Sequence, residues 1–130
     1  MTARGGFRSD LARVRGLGSA KAGVQHWWMQ RVTAIALVPL ALWFVIAVVA
    51  HTGADHAGMR AWLGSPVTFG LMALLLGATF YHAALGLQVV IEDYVHGEGL
   101  KIATLLAVKL GCLVLALTAI VALLVIAFGN

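Results

Sequence analysis

The sequence predicts an all-α membrane protein that crosses the bilayer three times, and three observations carry that prediction. The chain of 130 residues is 62% hydrophobic and 11% charged. That is too apolar for a disordered chain, and a soluble domain carries roughly a quarter charged residues. The charges are also segregated: 23 uncharged residues separate Arg31 from Asp55, and 31 separate Arg60 from Glu92. Finally, Lys109 is the only charge from Ile102 onward. A spanning helix needs about 20 mainly apolar residues, so three such runs give three helices and leave little chain for a soluble domain.

Residues 1–28 form a basic tail. Phe7, Leu11 and Val14 recur at helical spacing with Arg8 and Arg15 between them. That pattern suits a short amphipathic helix on an anionic membrane surface; a docking segment for a soluble partner is the other reading, and the sequence favours the first. The first spanning helix is expected over about 29–51, with Trp27 and Trp28 in the interfacial aromatic belt. Pro39 should kink it or free a carbonyl. Residues 54–66 read as an outer loop closing on a Gly64-Ser65-Pro66 turn, with Trp62 as an anchor and His51 and His56 as solvated loop histidines. The second helix is expected over about 67–92. An inner loop follows over 93–101, where two glycines limit helix continuation, and the third helix runs over about 102–128. Lys109, within two turns of that start, can snorkel back to the interface.

Charge sets the orientation. Arg4, Arg8, Arg13, Arg15, Lys21 and Arg31 face one acid, Asp10, in the N-terminal region, and Lys101 lies in the second loop. The positive-inside rule puts both in the cytoplasm. The net charge of +4 is therefore a topology signal, with no nucleic-acid partner implied. The single cysteine, Cys112, offers no disulfide and reads as a small apolar residue. The chain has no CxxCH for covalent haem, no GxGxxG and no cysteine cluster for iron–sulfur ligation.

The most informative stretch is FYHAALGLQVVIEDYVH, residues 80–96. It sets His82 near mid-membrane and ends with Asp93–Tyr94 where the run leaves the bilayer. Ala78, His82, Gly86 and Asp93 share one helix face at 100° per residue. Small residues on either side of a histidine admit a bulky planar group or the close approach of another helix. Two readings of His82 therefore stand: an interhelical hydrogen bond, or a metal ligand. Asp93 is eleven residues on, about 16 Å along the axis, which suits a haem in the membrane and a reaction site at its edge. One histidine supplies one axial ligand, so a second would come from a partner chain.

These residues resemble the smaller hydrophobic anchor subunit, the D-type, of succinate dehydrogenase. The resemblance rests on a three-helix chain with a short basic tail, on Arg31 in QRVTAI, similar to the family's Arg-x-Thr-Ala-Ile, and on HAALGLQVVIEDYVH. It covers nearly the whole chain. It implies up-down-up helices packed against a similar three-helix C-type cytochrome b subunit, with an iron–sulfur subunit and a flavoprotein subunit as further partners. It also implies a b-type haem shared between the two anchors and a ubiquinone site where they meet the iron–sulfur subunit. By the same resemblance His82 is the haem iron's axial ligand, Arg31 lies near the haem propionates, Tyr94 hydrogen-bonds a quinone carbonyl and Asp93 is the neighbouring acid. Glu92 beside Asp93 adds a second acid that could shift which one matters.

The resemblance implies that this chain is no enzyme on its own: succinate oxidation belongs to the flavoprotein, and this chain anchors, co-ligates haem and shapes the quinone pocket. A bacterial inner membrane is the expected location. A mitochondrial inner membrane is the alternative, because the Arg-rich start resembles a transit peptide, although Asp10 interrupts it. Two functional alternatives remain. One is the anchor of a fumarate reductase, running the same chemistry in reverse. The other is a non-redox structural or transport protein with His82 as an interhelical bond, although no helix shows the broken pattern of transporter sites.

Overall fold

The computed structural model describes residues 21–129. The amphipathic-tail expectation for Phe7, Leu11 and Val14 lies outside them. Four helices follow in order: α1 (Lys21–Ala50), α2 (His56–Gly64), α3 (Pro66–Tyr94) and α4 (Glu98–Phe128). There is no strand among the described residues. α1, α3 and α4 are each long and apolar enough to cross a membrane, so the chain is a multi-pass membrane protein.

The long helices overrun the limits read from hydropathy. α1 is already helical at Lys21, the first described residue, ahead of about 29, and α4 begins at Glu98 instead of about 102. Hydropathy marks where the bilayer ends, whereas the helix ends where capping or backbone geometry stops it. The segment KAGVQHWW holds no proline, so nothing in it halts the helix. Glu98 in the first turn suits the positive end of the α4 dipole. The expected inner loop thus shrinks to Val95–Gly97, with Gly97 as N-cap and Gly99 inside the helix. Pro39 lies within an unbroken α1; lacking an N–H, it deprives the Ile35 carbonyl of its helical donor.

The expected outer loop contains a helix. Asp55 caps α2 by accepting from the Gly58 N–H at 2.8 Å. Ser65 ends α2 and Pro66 opens α3 at its first position. α2 lies close on the end of α4: a Cβ on Gly64 would sit 3.0 Å from the Ala127 carbonyl oxygen, so a glycine allows this approach. Arg60 Nε donates to the Ile126 carbonyl at 3.2 Å, and Phe69 of α3 meets Phe128 with ring centroids 5.2 Å apart. His51 is not a solvated loop residue. Its Nδ1 lies 2.7 Å from the Ala47 carbonyl and its ring stacks on Trp62 at 4.3 Å. Gly53 turns the chain here with φ +91°, and His56 is exposed.

α3 is the middle helix. It packs against α1 on one side and α4 on the other, and α1 and α4 make no contact with each other. The result is an open row of helices with almost no interior: Met72, Leu85, Ile91 and Leu123 are its only buried hydrophobic residues among those described. Ile35 and Val38 on α1 are 72% and 71% exposed. Such a surface is stable only when lipid or another apolar chain covers it. Lys109 stands eleven residues into α4, three turns and not two. It lines a groove between α3 and α4 with Gly77, Phe80, Tyr81 and half-buried Cys112, level with His82.

Candidate haem-ligand and quinone-edge site

α1 presents two polar residues toward α3, Gln30 beside Gly86 and Thr33 beside His82. Thr33 is 8% exposed, one of two buried polar residues among those described. Its Oγ1 lies 2.9 Å from His82 Nδ1, 2.8 Å from the Met29 carbonyl oxygen and 3.1 Å from that of Gln30. A helical threonine hydroxyl commonly donates back to such carbonyls. The interhelical reading of His82 is therefore realised: the ring is tied across to α1. The bond contributes about 0.6 kcal/mol on the scale measured between membrane helices. That is too little to hold α1 against α3, so its consequence is orientation.

Tying Nδ1 does not exclude ligation by the other nitrogen. His82 Nε2 makes no hydrogen bond among the described residues and is not an enclosed, unpaired atom. His82 lines a half-open cavity of about 320 Å³ with Trp27, Gln30, Arg31 and Ala34. Gly86, one turn on, keeps space beside the ring: a Cβ there would meet only Gln30 Nε2, at 3.9 Å. The Arg31 guanidinium lies over the Trp27 ring, 5.3 Å from its centroid, a cation–π placement at the cavity wall. No ion pair involving Arg31 forms among the described residues.

These features fit a haem. The donor set is an imidazole with one ring nitrogen held, open space of mixed polar and apolar lining beside it, and a guanidinium on the cavity wall about half a turn nearer the start of α1. Among the described residues, His26 Nε2 is buried with no partner, a further polar atom at this end of α1.

The structure thus brings His82 and Arg31 together and sets Asp93 and Tyr94 apart. The acid–tyrosine pair ends α3 eleven and twelve residues beyond His82, about 16–18 Å along the axis. Both side chains are exposed, Tyr94 at 77%. Glu92 is engaged: Gln88 Nε2 donates to its Oε1 at 2.8 Å. Asp93 makes no side-chain hydrogen bond among the described residues, so of the two acids it is the one left open. Asp93 and Tyr94 lie at the end of the row where α3 ends and α4 starts, and the His82 cavity lies between that end and the middle of α3.

Thr33, Gln30 and Ala34 were not singled out in the sequence. The available signal was the polar stripe His26, Gln30, Thr33 at i, i+4 and i+7 entering an apolar run.

Comparison with known proteins decides the family. Residues 7–128 match the family described as succinate dehydrogenase/fumarate reductase transmembrane subunit. This chain belongs to that family. Similar relatives are each named succinate dehydrogenase hydrophobic membrane anchor subunit. One from Rickettsia bellii is 38% identical over 80% of this chain and 83% of its own. One from Rickettsia conorii is 35% identical over 90% and 94%, and one from Paracoccus denitrificans is 35% identical over 78% of each. No solved structure matches. Membership in the anchor family agrees with the resemblance read from QRVTAI and HAALGLQVVIEDYVH and with the three-span, all-helical architecture.

Proposed function

We propose that this chain is the D-type anchor of a succinate dehydrogenase, in a bacterial inner membrane with its N-terminus cytoplasmic. It holds one side of a b-type haem through His82 and contributes Tyr94 and Asp93 to a ubiquinone-reducing pocket. The observation that carries this reading is the state of His82: Nδ1 is tied to Thr33, while the ring lines an open cavity shared with Arg31. An imidazole serving only as an interhelical bond needs neither the cavity nor the nearby cation.

Each residue then has a task. His82 would hold the haem iron through the lone pair of its Nε2. Arg31 would neutralise a propionate near the cytoplasmic surface by a charge-assisted hydrogen bond. Bound haem supplies a one-electron redox centre within the membrane. The open row of helices supports a second, similar three-helix subunit, which would complete the far wall and share the haem. Iron–sulfur and flavoprotein subunits dock at the cytoplasmic end.

Ubiquinone reduction takes two electrons and two protons, and negative charge develops on the carbonyl oxygens as the electrons arrive. A phenolic O–H at Tyr94 stabilises that charge where water is scarce. The open Asp93 carboxylate is placed to pass protons inward from the cytoplasm.

Purification of the intact membrane complex tests the reading. Flavoprotein and iron–sulfur chains should accompany this one, and a reduced-minus-oxidised spectrum should show a b-type haem. A complex with those partners and no haem would refute the His82 assignment.

A further inference from the structure

We infer that Thr33 is a positioning residue for the haem ligand: its hydroxyl accepts the Nδ1–H of His82 and so holds the imidazole in the tautomer whose Nε2 carries the lone pair. This rests on the reading of His82 as an axial ligand.

The geometry carries the assignment. Thr33 Oγ1 has one proton and two lone pairs. Three groups surround it: the Met29 and Gln30 carbonyl oxygens at 2.8 and 3.1 Å, and His82 Nδ1 at 2.9 Å. Carbonyls only accept, so they take the hydroxyl proton, and a lone pair is left facing the ring. A neutral imidazole has one N–H. Placed on Nδ1, that proton meets the hydroxyl oxygen, and Nε2 is free to bind a metal on the cavity side. Placed on Nε2, it would point into the cavity with no protein acceptor among the described residues.

The threonine is itself confined. It is 8% exposed and β-branched, with few χ1 choices in a helix, and its hydroxyl is pinned to its own backbone. The two helices thus fix ring angle and tautomer together. Such an acceptor behind a metal-bound histidine also raises ligand basicity, and a more basic imidazole favours the ferric over the ferrous state.

The test uses the whole complex in membranes, with subunit assembly followed on native gels separately from haem. Thr33→Val keeps shape and deletes the acceptor. We expect haem retention to weaken about tenfold, the low end for lost partners of metal ligands, and the haem midpoint potential to rise. A tenfold loss confined to the ferric state equals about 59 mV. Thr33→Ser should restore both. If Thr33→Val does not assemble, Thr33→Ser against Thr33→Cys carries the same comparison, since a thiol is a weak acceptor. Wild-type potential and haem content in Thr33→Val, or equal potentials for Ser and Cys, would overturn the inference. His82→Ala separates the two readings: if it keeps its haem, the ligand assignment itself fails, whereas if it loses haem while Thr33→Val is normal, only the role of Thr33 falls.

Discussion

The middle and the end of α3 differ in how much of a site this chain builds. At the middle, His82 has a partner on another helix, a cavity beside it and a cation on the cavity wall. At the end, Tyr94 is 77% exposed and neither it nor Asp93 has a side-chain partner among the described residues. A ligand must be aimed before its metal arrives, because a loosely held ring pays the ordering cost on binding. A hydroxyl that meets a mobile substrate can be aimed by the surfaces that later enclose it. On the proposed function, one half-site is therefore built within this chain, and the other is two residues offered to a pocket completed by other subunits.

That contrast can be broken at several points. The largest effect is expected at His82: replacing it with alanine should abolish the b-type spectrum of the complex, and an unchanged spectrum would erase the distinction. Next, Tyr94→Phe should lower quinone reduction by about 100-fold, the scale of losing one fixed donor to a developing oxyanion. Succinate oxidation with an artificial acceptor, and the haem spectrum, should stay normal. Asp93→Asn should slow quinone reduction about tenfold, whereas Glu92→Gln should change it less than twofold, given the Gln88 contact. Steady-state rates of the pair measure which acid is the open one. The smallest effect lies far from both sites. Asp55→Ala removes the α2 cap, costs about 1 kcal/mol, and should lower the melting temperature of the complex slightly without touching haem or quinone kinetics.

The three spans were legible because long uncharged runs in a chain with this composition have one physical solution. His82 and the Asp93–Tyr94 pair were legible because polar groups stand out in such runs. The α2 helix was not, since its nine residues are too few for a helical period to be told from a turn-rich loop, although Asp55 held a capping signal. The helical stretch Lys21–Trp28 and the start at Glu98 were missed because polar residues carry a helix beyond the bilayer without marking its end. Thr33 was visible within QRVTAI, but its partner lies 49 positions away. Which residue meets which across two helices depends on their relative rotation and shift, and no spacing within either helix encodes that.

α3 alone joins α1 to α4, and this makes the two flanks mechanically unequal. On one side α2 packs on both α3 and α4, Arg60 donating to the Ile126 carbonyl, and Phe69 of α3 meets Phe128 of α4. On the other, α1 hangs from a single seam that includes the threonine–histidine link. Any shift of α1 against α3 is therefore felt first at the threonine–histidine link, whereas the opposite flank is held by three mutually packed helices.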